Sequence, residues 1–239
     1  MLEQGVAQRI VGLPLHASPR VTAPGLQLLG NILTGNEAQT QAVVDAGAIP
    51  VLAGILRVGK RGARKEAAWA VSNIMAGSRP QIQACLDQGM IPILVEAIEA
   101  GPTDVAKEAI WAIANATSGA SPQQIHYMVQ NYVMRGVAAA LQPGKVPDCR
   151  TRIVALEALE NILAAGQLLG GGQQQPNPHA EVAVGVGIPD LVENAFNHVP
   201  QADGADAAAG RLRHMLVAVQ QRWFPELQAA AEDEVNIVF

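Results

Sequence analysis

Apolar residues along this chain recur at helical spacing. After Pro92, positions Ile93, Leu94, Ala97 and Ile98 fall on one helical face. The flanking punctuation defines three helices in succession. Ser78-Arg79-Pro80 makes a turn and a helix start, and the short segment QIQACLDQG runs to Gly89. Pro92 sits where a second helix opens, and Gly101-Pro102-Thr103 turns the chain again. The third and longest segment is DVAKEAIWAIANATSG, with Asp104 near its start and Gly119 as a C-cap. The pattern predicts an all-α chain without strands.

The same pattern repeats at a shift of 42 residues. Gly5, Gly47 and Gly89 share that interval, as do Pro50 and Pro92, and Gly35, Gly77 and Gly119. Asn31, Asn73 and Asn115 follow it, and Asn161 comes 46 residues later. Glu66 and Glu108, and Trp69 and Trp111, repeat at 42 as well. A period of this length with a short, a medium and a long helix is that of armadillo repeats. We expect a right-handed superhelical solenoid of about five repeats, at 1–38 (lacking its first helix), 39–80, 81–122, 123–168 and 180–225. Residues 169–179, LGGGQQQPNPH, are expected to form a flexible loop, and 226–239 an acidic tail with an apolar tip.

Composition narrows the function classes. Hydrophobic residues make up 49% and aromatics only 3%, so the core must be built from Ala, Val, Ile and Leu. No apolar stretch reaches the length of a membrane span, and residues 1–20 lack a signal-peptide core, so the expected setting is soluble and intracellular. Cys85 and Cys149 show no metal or disulfide spacing and are expected to be small buried hydrophobes. A net charge of −5 disfavours nucleic acid and favours basic partners. The five histidines show no two-ligand spacing. His179-Ala-Glu181 has no following CxxC, Gly170-Gly171-Gly172 lacks a Lys-Ser/Thr partner, and no Gly-x-Ser-x-Gly occurs. No enzyme activity and no cofactor are expected.

The candidate site is a ladder on the third helices. Trp69/Asn73 and Trp111/Asn115 are i, i+4 pairs, each on one helical face. An asparagine amide can both donate to and accept from a peptide backbone. Neighbouring indoles can hold a Lys or Arg stem between them and attract its charged head. Glu66 and Glu108 each precede a tryptophan by three residues, within reach of that head. The alternative is structural, with the tryptophans in the core and the asparagines tying one repeat to the next.

These residues carry a resemblance. GLQLLGNILTGNEAQTQAVVDAGAIPVL, RKEAAWAVSNIMAGSRPQIQACLDQGMIPILVEAI and KEAIWAIANATSGASPQQIHYMV resemble importin-α, the adaptor family for cargo bearing nuclear localisation signals. LEALENILAAG, NPHAEVAVGVGIPDLVENAFNH and the acidic tail continue the likeness more loosely. The order of the strings implies the C-terminal half of such a receptor and its minor signal-binding site, which takes the smaller basic cluster of a bipartite signal. The resemblance implies that Trp69, Asn73, Trp111 and Asn115 form that site, supported by Ser72, Glu66, Glu108, Asn31 and Thr34. Gln27 stands where the family commonly has a basic residue, and Glu157 ends the tryptophan pattern. It also implies a cytoplasmic and nuclear shuttling protein, a recycling exportin as partner of residues 180–225, and a truncated form without the importin-β-binding segment and major site. A general armadillo scaffold is the alternative.

Overall fold

The computed structural model describes residues 4–171, 176–199 and 207–225, and among these every regular element is helical. The first unit holds α1 (Gln4–Gly12), a 3-10 turn (Leu13–Leu15) and α2 (Pro19–Leu33). Four triplets follow: α3 (Glu37–Asp45), α4 (Ala48–Val58) and α5 (Arg61–Met75); then α6 (Arg79–Asp87), α7 (Met90–Ala100) and α8 (Thr103–Gly119). Next come α9 (Pro122–Gln130), α10 (Val133–Leu141) and α11 (Cys149–Leu169), then α12 (Pro178–Gly185), α13 (Ile188–His198) and α14 (Ala207–Trp223). The tail at 226–239 lies outside the described residues, as do 172–175 of the expected loop. The connection is shorter than 169–179 at both ends. α11 runs to Leu169 and α12 begins at Pro178. Asn177 ties this joint down, donating to the Leu163 carbonyl at 2.8 Å and accepting from the His179 N–H at 3.0 Å.

Local chemistry explains each break. Asn36, Ser78 and Ser121 start α3, α6 and α9 as capping boxes with Gln39, Gln81 and Gln124. The elbow between the first and second helices needs a left-handed residue. Gly47, Gly89 and Gly187 supply it with φ of 89°, 65° and 76°, and the chain bends by 74° at Gly47. In the fourth unit Tyr132 takes the same conformation at φ 70°. Its ring lies under the Arg135 guanidinium at 5.8 Å, and Arg135 in turn holds Glu99 by two bonds. The third long helix ends one residue later than its sequence suggests, since Gly119 is helical and Ala120 is the cap.

Side chains of the third and fourth units bind backbone carbonyls at helix ends of the unit before. Gln81, fully buried, donates to the Glu37 carbonyl at 3.1 Å, and Gln124 donates to the Arg79 carbonyl at 3.0 Å. Lys145 caps the end of α7 through the Glu99 and Gly101 carbonyls. The core between the layers is aliphatic, with Leu52, Leu56, Ile74, Met75, Leu94 and Ile98 essentially without solvent contact. Cys85 belongs to it, and burial pushes its thiol up to about 12, leaving it inert. Cys149 is only half-buried, at the first turn of α11. The third helices α2, α5, α8, α11 and α14 pack on one another more extensively than the second helices do, so they form a continuous stacked layer. At the N-terminal end the 3-10 turn leaves an apolar cleft of about 790 Å³ beside α4, lined by Leu15, Val51, Ile55 and Val58. No single helix among the described residues is long and apolar enough to cross a membrane.

Candidate peptide-binding groove

α5 and α8 lie side by side and present Trp69/Asn73 and Trp111/Asn115 as consecutive rungs. All four side chains are half-buried, standing at the boundary between core and surface. Each rung is anchored to the helix before it. Asn73 Nδ2 donates to the Gly30 carbonyl at 3.3 Å, and Asn115 Nδ2 donates to the Ser72 carbonyl at 3.0 Å. Both acceptors lie in the last turn of their helices, where carbonyls run short of intrahelical donors, although the Ser72 carbonyl also accepts from the Ala76 N–H. The structural ladder considered from the sequence is therefore real. It occupies one N–H of each amide and leaves the second N–H and the carbonyl oxygen for another partner.

Trp69 has a reason to stand where it does. A Cβ at Gly30 would fall inside the van der Waals envelope of the Trp69 ring, closest to Cζ3. The indole lies back against bare α2 backbone, and glycine alone allows that approach. Ser72, the counterpart of Gly30 one period later, is buried, and its hydroxyl donates to the Trp69 carbonyl at 2.8 Å. Its side chain faces its own helix, so its contribution to the site is the carbonyl that orients Asn115.

Acid gathers beside the rungs. Glu108 is half-buried, and burial raises its pKa above the ordinary 4.5, with Lys65 pulling it down and Glu66 and Asp104 pushing it up. Asp104 is engaged by Arg61 at 3.0 Å, and that guanidinium helps to hold its carboxyl below the usual value. Thr34 and Asn73 line a common cleft of about 460 Å³ at the ends of α2 and α5. Thr34 donates to the Asn31 carbonyl at 2.7 Å, and Asn31 is exposed on α2. Eight of the nine sequence-derived residues thus fall on the adjacent helices α2, α5 and α8, and the ninth, Thr34, is the C-cap of α2.

Beyond Trp111 the chemistry changes. Asn161 reaches the Thr117 hydroxyl, at 3.5 Å, rather than a backbone carbonyl, and Glu157, in the tryptophan position, is paired with Arg211 at 2.7 Å. The Arg150 guanidinium lies 5.7 Å from the Trp111 ring centroid. Sequence reasoning missed Gly30, Lys65 and Arg150. Gly30 was within reach, because it sits 42 residues before the small residue of WAVSN. No group of three or more His, Cys, Asp or Glu among the described residues could hold a metal ion.

Comparisons with known proteins agree with this architecture. The Armadillo/beta-catenin-like repeat model matches residues 36–76 and 78–118. Importin subunit alpha-3 of Arabidopsis thaliana is 50% identical over 168 residues, covering 70% of this chain and 31% of that protein. Importin subunit alpha-1b of Oryza sativa subsp. japonica is 42% identical over 202 residues, covering 83% of this chain and 37% of that protein. The chain thus spans about a third of the length of each relative. Among solved structures, a designed armadillo repeat protein in complex with peptide (KR)4 superposes with a TM-score of 0.71 at 25% identity, over 90% of this chain and 81% of that one. Sequence likeness and helix stacking lead to the same place: this chain is an importin-α-like armadillo-repeat protein.

Proposed function

We propose that the α5–α8 face binds a short Lys/Arg-rich segment of an extended peptide, as one half of a bipartite nuclear-localisation-signal site. Nuclear import adaptor or armadillo scaffold is the class to which the chain belongs. The observation that carries the finer reading is the half-committed asparagine amide. Asn73 and Asn115 are fixed by one N–H each and keep a donor and an acceptor for a peptide backbone. The spacing suits this, since packed helices lie about 8–10 Å apart and two extended residues span about 6.6–7.2 Å. Trp69 and Trp111 offer walls for an aliphatic stem, and the half-buried Glu108 beside Glu66 offers the countercharge. Support also comes from the likeness to plant importin-α subunits and to a designed protein that binds (KR)4.

Each rung contributes one or two amide bonds, net about 0.5–1.5 kcal/mol apiece, plus the ring–cation attraction. Against these stands the cost of immobilising a flexible peptide, at least several kcal/mol. Two complete rungs give about micromolar affinity or weaker. The cargo reading includes shuttling between cytoplasm and nucleus, with a recycling exportin on α12–α14. The test is a titration of a labelled bipartite basic peptide at two salt concentrations. Affinity that falls with salt and is lost in the Trp69→Ala/Trp111→Ala double variant is expected. Equal binding by wild type and double variant would make the ladder purely structural and leave a general scaffold.

A further inference from the structure

The two rungs differ chemically. α8 and α11 are related by a shift of 46 residues at Asn115 and Asn161, so Arg150 on α11 is the counterpart of Asp104 on α8. At the first rung this position is acidic and already paired with Arg61. At the second it is a cation, and the guanidinium carbon lies 5.7 Å from the Trp111 centroid, within the range of a cation–ring contact. The acid nearest to Arg150 along its own helix does not compete for it. Asp148 accepts from the Thr151 N–H and hydroxyl and pairs with Lys107 at 2.6 Å. Arg150 is exposed and has no ion pair among the described residues, so the Trp111 ring is what holds it. No cation covers Trp69 among the described residues.

We propose that Arg150 is a resident occupant of the Trp111 face and a specificity-determining residue of the groove. It rests on the peptide-binding reading above and deepens it. A ligand Lys or Arg is accepted on the Trp69 side, where the wall is open and Glu66 and Glu108 supply charge. At the Arg150 side of Trp111 a basic ligand residue must first displace the guanidinium and then lie beside it. A neutral or acidic ligand residue there leaves Arg150 in place and can accept its N–H groups. The favoured partner is therefore a peptide with one short basic cluster bordered by a neutral or acidic residue, rather than an unbroken basic run.

The experiment is a fluorescence anisotropy titration with a labelled octapeptide of alternating Lys and Arg, and with the same peptide carrying Glu in place of its basic residues at one end or the other. Arg150→Ala is expected to tighten binding of the unbroken basic octapeptide about two- to fivefold, the size of an exposed cation–ring contact. It should weaken binding of one of the Glu-ended peptides, and Arg150→Lys should behave nearly as wild type. In a Trp111→Ala background the gain from Arg150→Ala should shrink to less than about twofold. Unchanged or weaker binding of the basic octapeptide by Arg150→Ala, while Trp69→Ala still weakens it, would overturn the inference and leave the peptide-binding reading intact. A gain that persists in full without Trp111 would also overturn it, because the effect would then be long-range charge. If wild type and the Trp69→Ala/Trp111→Ala variant bind the octapeptide equally, the groove reading falls and this inference falls with it.

Discussion

Gly30 and Gly54 are both helical glycines, and they should respond oppositely to a methyl group. Nothing lies within 4 Å of a Cβ built on Gly54, so Gly54→Ala should stabilise α4 by about 0.5–1 kcal/mol, the ordinary helix preference. At Gly30 the same methyl meets the rigid Trp69 ring. Gly30→Ala should cost about 1–3 kcal/mol by overpacking and weaken basic-peptide binding by pushing the indole out of register. Urea unfolding and a peptide titration on both variants check the pair. Glu108 gives a second prediction at this scale. Its pKa is raised in the folded protein, so its contribution to folding is present below its ordinary 4.5 and is lost as pH rises through the raised value. A bound ligand cation favours the ionised form, so peptide affinity should move the other way and fall as pH drops from neutral through that value. Glu108→Gln should lose this pH dependence, and Glu66→Gln should keep it.

Among the elements, the helix ends decide what the repeat side chains are for. Gly30's carbonyl belongs to the last turn of α2 and depends on Asn73, whereas Ser72's carbonyl also accepts from the Ala76 N–H at 3.0 Å. Asn73→Ala should therefore cost about 1–3 kcal/mol of stability, and Asn115→Ala less. Denaturant melts measure this directly, and they separate the structural effect from the loss of peptide binding. The joint between the last two units is a directional chain. His179 Nδ1 lies 2.7 Å from the Ile162 carbonyl and so donates to it; His179 Nε2 then accepts from His126 Nδ1 at 3.1 Å, and Gln130 completes the chain at 3.1 Å. This order needs both rings neutral. Burial first, and His126 beside it, lower the His179 pKa below its ordinary 6.5. Below pH 6.5 the unfolded chain takes up a proton that the folded one refuses, so stability should fall with acid there. Hydrogen exchange should show α12–α14 opening before α5–α8 in mild acid, and His179→Gln should flatten that dependence.

Across the whole molecule, the 42-residue register in glycine, asparagine and tryptophan was enough to read the helical stack, because the same residue types recur wherever the same turn or contact recurs. What the sequence hid were contacts that cross between units. Tyr132 does the work of Gly47 and Gly89 in a residue type that gives no turn signal. His179 looked like part of a loop and is a buried bracket between α11 and α12. Trp69 and Trp111 looked equivalent until the next helix put Arg150 over one and not the other. A stack of this kind is quasi-one-dimensional, so a ligand laid along its third helices meets each unit in turn. The central claim is that α5 and α8 together are that ligand's seat. The most direct measurement is a titration of indole-labelled protein with a basic bipartite peptide, followed by NMR of the three tryptophan Nε1–H signals. Trp69 and Trp111 should shift together and saturably while Trp223, in α14, stays fixed. Saturated binding that leaves Trp69 and Trp111 unmoved would contradict it.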